Sequence, residues 1–146
     1  MKKILILIIV VLASALYFHD ELKHIITPPE VTVKNKDLIE RDGLKYQKFS
    51  EVPFTGKTSG KKQRSFKNGK REGAWVSYWS NGQLWVKENW KNGKKEGAWV
   101  SYHKNGQLSY KGNYKNGKKE GAWVGYKSDG TVWETFTGTF KNGIKV

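Results

Sequence analysis

A six-residue segment returns three times at a fixed interval and constrains the fold more than any other feature of the chain. The sequence Gly-Ala-Trp-Val-Ser-Tyr fills Gly73–Tyr78 and Gly97–Tyr102, and residues 121–126 differ from it at one position. The tryptophans of these copies stand 24 residues apart. A fixed period of about 20–50 residues is typical of repeat architectures, in which each small unit packs on its neighbours.

Turn signals separate the repeats at regular intervals. An Asn-Gly or Asp-Gly dipeptide recurs every 11–13 residues, and Asn-Gly between apolar runs is the strongest local signal for a β-hairpin. Between turns the second strand of a unit alternates, with Leu108, Tyr110 and Tyr114 on one side and Ser109 and Lys111 on the other. The sequence therefore predicts an all-β fold, an antiparallel β-meander that forms a solenoid-like array of hairpins.

The array is predicted to span residues 42–146, with repeats at about 66–90, 91–114 and 115–140 between degenerate caps. The last repeat is two residues longer, which preserves the alternation and predicts Val132, Phe136 and Phe140 on one face of a strand. In the first strand of each unit the Trp and the Tyr differ in parity. Either both faces are covered there or a β-bulge resets the register.

The N-terminus has the pattern of a targeting segment. Lys2 and Lys3 precede an apolar run over residues 4–12, and Ala13-Ser14-Ala15 follows. This predicts an N-terminal hydrophobic helix within residues 1–18, acting as a cleaved signal peptide or as an uncleaved membrane anchor. In both cases the rest of the chain lies outside the cytoplasm, in the periplasm or tethered to the inner membrane.

Residues 19–41 are predicted to be a linker, because Pro28-Pro29 stops any helix and stiffens the chain. Within it, residues 31–33 are compatible with a short strand and residues 37–41 with one helical turn. The chain has no cysteine, which excludes disulfides, thiol catalysis and cysteine-based zinc sites.

The positive charge belongs to the repeats. The whole chain carries a net charge of +14, and residues 54–146 alone contain 19 basic and 6 acidic residues, a balance of +13. Such a balance predicts an anionic partner, and it also keeps a soluble β-array from associating with itself.

Three sequence motifs resemble MORN-type repeats, in the variant found in small bacterial proteins. They are Tyr-Lys-Asn-Gly-Lys-Lys-Glu-Gly-Ala-Trp at residues 114–123, Tyr-His-Lys-Asn-Gly-Gln-Leu at residues 102–108, and Val-Pro-Phe-Thr-Gly-Lys at residues 52–57. The resemblance covers residues 42–146. It implies a binding role, since relatives are labelled YwqK-family antitoxins and other MORN repeats are linked to membrane lipids and protein scaffolding. Glu88 departs from the pattern, because Gly112 and Gly138 hold the equivalent positions.

No catalytic, metal-binding or cofactor-binding residues are predicted. Glu72, Glu96 and Glu120 form a recurring column, but two strands per unit would place them about 10 Å apart. Catalytic carboxylates must converge on one substrate atom, so these are expected to form turn-side salt links. His103, alone in the repeats, is expected to be a surface strand residue. The chain is therefore not expected to be an enzyme or to need a cofactor.

Two sets of residues are candidates for partner binding. The first is a ladder of cations at the turns, which could contact anionic headgroups or an acidic protein, or could serve only to solvate the turns and protect the sheet edges: Lys67, Lys70, Arg71, Lys91, Lys94, Lys95, Lys115, Lys118 and Lys119. The second consists of positions that differ between repeats, with two tryptophans on the predicted exposed face: Trp79, His103, Trp85 and Trp133.

These features together predict an exported, non-enzymatic repeat protein that acts as a protein-binding or scaffold module in the cell envelope. One alternative, from the resemblance alone, is an antitoxin or immunity protein whose partner is a toxin. Another is peripheral binding to an anionic membrane surface through the basic turns. Nucleic acid is a poor candidate, because an exported protein rarely meets it.

Overall fold

The computed structural model describes residues 30–146. The predicted signal peptide or anchor, its hydrophobic helix and the first part of the predicted linker lie outside the described residues. Among residues 30–146, no helix combines the length and the apolar character needed to cross a bilayer.

The regular secondary structure of residues 30–146 is β-strand, as predicted, apart from two short 3-10 turns at Asn35–Asp37 and Glu134–Phe136. Turns and loops connect the strands. The strands are β1 (Thr32–Lys34), β2 (Leu38–Arg41), β3 (Leu44–Gln47), β4 (Gly56–Ser59), β5 (Lys62–Lys67), β6 (Lys70–Arg71), β7 (Gly73–Tyr78), β8 (Leu84–Lys91), β9 (Lys94–Lys95), β10 (Gly97–Tyr102), β11 (Leu108–Lys115), β12 (Lys118–Gly125), β13 (Gly138–Lys141) and β14 (Ile144–Lys145).

Twelve of these strands form one sheet in the order β1-β4-β5-β7-β8-β10-β11-β12-β13-β14, with β6 added to β5 and β9 added to β8. From β4 onward every neighbouring pair is antiparallel, which confirms the predicted meander. The edge strand β1 is parallel to β4, so the sheet as a whole is mixed. Strands β2 and β3 form a separate hairpin.

The structured array begins upstream of the predicted start at Asp42. Strands β1 and β2 both lie within the segment interpreted as a linker. Most of the segment that was compatible with a helical turn, Leu38–Arg41, is a strand instead. The reason is cross-strand pairing, since Leu38 lies opposite Gln47 and Ile39 opposite Tyr46. Leu38 also packs against the buried cluster of Phe54, Phe66 and Trp75.

The Asn-Gly turns fall into two classes, only one of which matches the prediction. At the ends of the strands where Asn92 lies, both turn residues have positive φ (49° for Asn92 and 79° for Gly93), as a primed two-residue turn requires. At the opposite edge only the glycine is left-handed, with φ of 87° at Gly82. There the Asn81 side chain accepts a hydrogen bond from the Gln83 backbone, which stabilises a longer loop.

A β-bulge explains the parity problem of the first strand. The register shifts between Ser77 and Tyr78, and again between Ser101 and Tyr102. Because of this shift, the spacing of three residues between the tryptophan and the tyrosine of these two units is matched by a spacing of four residues on the neighbouring strand.

The expectation of one continuous strand through residues 132–140 is wrong. The two additional residues are taken up by the 3-10 turn at Glu134–Phe136, which leaves Val132 and Phe136 43% and 45% exposed. The Thr137 hydroxyl accepts the hydrogen bond of the Gly125 backbone N–H at 3.0 Å, in place of a regular strand contact. Only Phe140 keeps the predicted position, opposite Gly121.

Candidate functional site

The recurring aromatic residues gather on one side of the sheet, which we call the aromatic face, and form two ring clusters. In the first, Phe66 lies 5.5 Å from Trp75, which lies 5.1 Å from Trp90. In the second, Trp123 lies 5.0 Å from both Tyr110 and Tyr114. Trp75 and Trp123 are 8% and 2% exposed, so the repeat's most conspicuous residue is a core residue.

Glu88 and Lys95 connect the two ring clusters, and we call this pair the polar joint. The Trp90 indole N–H donates to Glu88 Oε1 and the Trp99 indole N–H to Glu88 Oε2, each at 3.0 Å. Lys95 Nζ lies 2.8 Å from Glu88 Oε2 and 5.6 Å from the ring centres of both tryptophans. The Glu88 side chain is 12% exposed, so its charge depends on these three donors for compensation.

The polar joint exists because Glu88 stands where the two following units have Gly112 and Gly138. Trp123 lies across Gly112 so closely that a Cβ there would be 2.1 Å from the indole ring, and its N–H donates to the Asn113 carbonyl. Trp75 makes the same kind of bond to the backbone of Ser65. Trp99 instead meets the Glu88 side chain and donates to it. The sequence identifies the departure from glycine, but not this consequence.

The nine predicted basic residues divide into two groups. The last cation of each turn lies on the aromatic face, because the register places it opposite an aromatic residue: Arg71 opposite Phe66, Lys95 opposite Trp90, and Lys119 opposite Tyr114. The Arg71 guanidinium lies 4.5 Å from the Trp90 ring centre, and Lys119 Nζ lies 4.8 Å from that of Trp123. These three cations are part of the packing, not members of a free ladder.

Burial on the aromatic face also changes proton affinity. It is the main reason that the pKa of the Tyr114 phenol lies above its ordinary value, an effect that the Lys119 charge partly opposes. Burial, followed by repulsion from Arg71, lowers the pKa of the Arg64 guanidinium. Both shifts follow from the limited access of water to this face.

The other six cations form an exposed row that we call the lysine edge. They face one another directly across three turns as Lys67–Lys70, Lys91–Lys94 and Lys115–Lys118. Like charges in directly opposite positions destabilise a hairpin. Backbone hydrogen bonds hold these turns side by side, from Gly93 N–H to the Arg71 carbonyl at 2.9 Å and from Gly117 N–H to the Lys95 carbonyl at 2.8 Å.

The recurring glutamates Glu72, Glu96 and Glu120 connect the same turns through hydrogen bonds. Glu72 accepts a hydrogen bond from the Asn92 backbone N–H at 2.7 Å. Glu96 accepts one from Asn116 and Glu120 one from Asn142. The expected salt links are thus hydrogen bonds to the backbone of the next turn, and the column has a role in the fold.

At the opposite edge, Trp79 and His103 link consecutive loops. The Trp79 indole N–H donates to the Tyr102 carbonyl at 3.0 Å, and His103 Nε2 lies 2.9 Å from the Tyr126 carbonyl. Because a carbonyl can only accept, Nε2 carries the proton in this contact. Both side chains are partly buried, and His103 follows β10 in the loop, whereas a surface strand position was expected.

Trp85 is more accessible than Trp79 and His103, which are both partly buried. It is 40% exposed, and its ring lies 4.9 Å from that of Trp79. Lys104 Nζ lies 5.5 Å from the Trp79 ring. We call Trp79 and Trp85 the tryptophan pair.

Trp133, in the same column of the repeat, is 44% exposed and packs 4.4 Å from Phe136. Four strand spacings separate it from Trp85, which is about 19 Å. The structure therefore joins Trp79 to Trp85 but does not bring Trp133 to them.

The comparison with known families agrees with the hairpin repeat. Residues 71–92 and 95–116 match the family model described as MORN repeat variant. The chain contains MORN-type repeats. The two matches are offset by 24 residues, which is the period of the tryptophans, and they cover β7 with β8 and β10 with β11. Neither the curated proteins nor the solved structures gave a match.

MORN repeats are commonly protein-binding or lipid-binding modules, which agrees with a binding role. The likeness to YwqK-family antitoxins and the absence of enzymatic activity stay predictions. Within residues 30–146, no three side chains of the metal-ligating types are arranged to hold a metal ion. On the opposite face of the sheet from the aromatic face, a shallow groove is lined mainly by Lys111, Ala122, Val124 and Thr139.

Proposed function

We propose that this MORN-type repeat protein is exported and binds a protein partner in the cell envelope, without catalysing a reaction. The tryptophan pair carries the proposal. Trp85 offers a large exposed ring, and Trp79, fixed by its hydrogen bond to Tyr102, limits the movement of that ring. An aromatic side chain that is already ordered loses little entropy on binding, which makes it an effective anchor.

The comparison between repeats supports the same assignment. Ser109 holds the position of Trp85 in the next unit, within an otherwise similar hairpin. The fold therefore does not need a tryptophan there. Export is supported by the charge and apolar pattern of residues 2–15.

Trp85→Ala tests the protein-binding proposal. We expect capture of the partner from cross-linked native envelope by the tagged full chain to fall about tenfold or more, as for loss of a hot-spot tryptophan. The midpoint of urea unfolding should change little. Ser109→Ala is the matched control and should leave capture intact, while Trp133→Ala shows whether the partner also reaches the last repeat. Undiminished capture by Trp85→Ala would rule the proposal out.

A second candidate function is binding to an anionic membrane surface through the lysine edge. The observation that favours it is the placement of six exposed lysines as three like-charged pairs along one edge. Like charges that face each other directly are unfavourable within a hairpin, whereas anionic lipid would contribute about 1 kcal/mol per cation near the surface.

Cosedimentation of residues 19–146 with phosphatidylglycerol vesicles tests this candidate. Binding at low salt should vanish when all six lysines of the edge become glutamine. The matched control has the same net charge, with glutamine at six exposed lysines elsewhere: Lys61, Lys62, Lys87, Lys104, Lys111 and Lys127. It should keep most of the binding. Equal losses in both variants would show a general charge effect and exclude a specific role of the edge.

A further inference from the structure

A phenylalanine occupies a turn position that normally requires glycine. The Ser50 backbone N–H donates to the Gln47 carbonyl at 3.1 Å and closes a four-residue turn with Phe49 in its third position. Phe49 has φ of 65°, the value that a type II turn demands there and that glycine or asparagine usually supplies. The other non-glycine residues of positive φ within residues 30–146 are one aspartate and four asparagines.

The Phe49 side chain gives the fold nothing in return for this conformation. It is fully exposed, at 103% of the reference value, and Val52 three residues later is 72% exposed. A bulky residue held in the left-handed region costs stability, and such outliers cluster at functional sites. Nothing within residues 30–146 explains a phenylalanine at this position.

The loop that carries Phe49 is braced on both sides. Arg41 Nη1 donates to Glu51 at 2.9 and 3.1 Å, and Arg41 Nη2 donates to the Ser50 carbonyl. The Lys48 backbone N–H donates to the Asp37 carbonyl at 2.9 Å. The Arg41 guanidinium lies 4.0 Å from the Tyr46 ring centre, which fixes the arginine itself. These contacts hold the backbone from which Phe49 projects.

We propose that Phe49, assisted by Val52, is an anchor that inserts into an apolar pocket with an acidic rim on a protein partner. A membrane interface is not directional, so it would gain nothing from a strained and braced phenylalanine. A pocket gains from such preorganisation, because less freedom is lost on binding.

The positive charge near Phe49 indicates that the rim of the partner's pocket is acidic. Lys48 next to Phe49 is exposed, whereas the carboxylate of Glu51 is engaged by Arg41. The repeats over residues 54–146 carry a balance of +13. Acidic side chains around the pocket would complement both.

The inference rests on the proposed protein-binding function and adds a contact separate from the tryptophan pair. Its first test is Phe49→Gly in the full chain. Because glycine accepts φ of 65° without strain and the ring makes no contact, we expect the thermal midpoint to stay the same or rise. A clear fall in the midpoint would show that Phe49 is a structural residue and would overturn the proposal.

The second test places the photoreactive residue p-benzoylphenylalanine at position 49 in the source cells. Ile144, an apolar residue that is 71% exposed, is the control position. We expect an adduct with one protein from position 49 and not from position 144. That protein is then purified, and its affinity should fall tenfold or more with Phe49→Gly and less than threefold with Phe49→Leu.

Three results would overturn the anchor: no adduct at position 49, the same adduct at both positions, or unchanged affinity with Phe49→Gly. The Trp85→Ala variant, measured against the same purified protein, separates the two proposals. If it abolishes binding while Phe49→Gly does not, the proposed function stands and the anchor is wrong. If neither variant changes the affinity, both are wrong.

Discussion

Gly112→Ala should lower the free energy of unfolding by about 3 kcal/mol, although alanine is normally the better residue in a strand. The new methyl carbon would lie 2.1 Å from the indole ring of Trp123, and that ring is only 2% exposed. Trp123 also contacts Tyr110, Tyr114 and Phe140, so it has no free direction in which to move. One added methyl group would therefore disturb the whole second ring cluster.

Urea denaturation followed by tryptophan fluorescence measures this effect. The control is Gly97→Ala, because a Cβ at Gly97 meets no atom within 4 Å and only the positive φ of 79° opposes it. That conformational cost is about 1–2 kcal/mol. If Gly112→Ala proved no more destabilising than Gly97→Ala, the close contact between Trp123 and the strand would be contradicted.

Glu88→Ala should lower the free energy of unfolding by about 3 kcal/mol, the lower end for breaking a buried ion pair. The change removes the acceptor for two indole N–H groups and the partner of Lys95 Nζ at 2.8 Å. Three donors would then remain in a site with little water, which costs more than the mean value of a hydrogen bond.

The order of substitutions at position 88 is the sharper test. Glu88→Gly should be less destabilising than Glu88→Ala, the reverse of the usual order in a strand. Glycine would allow Trp99 to lie across position 88, as Trp123 lies across Gly112, and to donate to the Asn89 carbonyl. Urea denaturation measures both free energies of unfolding. If Glu88→Gly lowered the free energy as much as Glu88→Ala or more, the orientation of Trp99 would not depend on Glu88.

The regular part of the fold was readable from local sequence. Asn-Gly turns and alternating strands predict the meander, because a primed two-residue turn also fixes the register on either side. That register places Lys95 opposite Trp90. The packing of the last cation of each turn on an aromatic ring could therefore have been predicted from the sequence, although it was not. The signal was the constant spacing of an aromatic residue and a cation around each Asn-Gly.

Other features depended on contacts between distant residues. Glu88 bonds an indole 11 residues away, and nothing in the local pattern specifies that the Trp99 ring turns toward it. The 3-10 turn at Glu134–Phe136 was hidden because two additional residues preserve strand parity whether or not the strand continues. The left-handed backbone of Phe49 was not predictable, since local preferences favour glycine or asparagine there.

The central claim is that residues recurring in every repeat build the fold, whereas the partner is bound by exposed residues that differ between repeats. Glu96 and Trp85 represent the two classes, since Glu96 holds the next turn through the Asn116 backbone and Trp85 is 40% exposed. The direct test is to measure unfolding and partner affinity on the same two variants. We expect Glu96→Ala to lose about 1 kcal/mol of stability with unchanged affinity, and Trp85→Ala to lose affinity with unchanged stability. The opposite pattern, with affinity lost only in Glu96→Ala, would contradict the account.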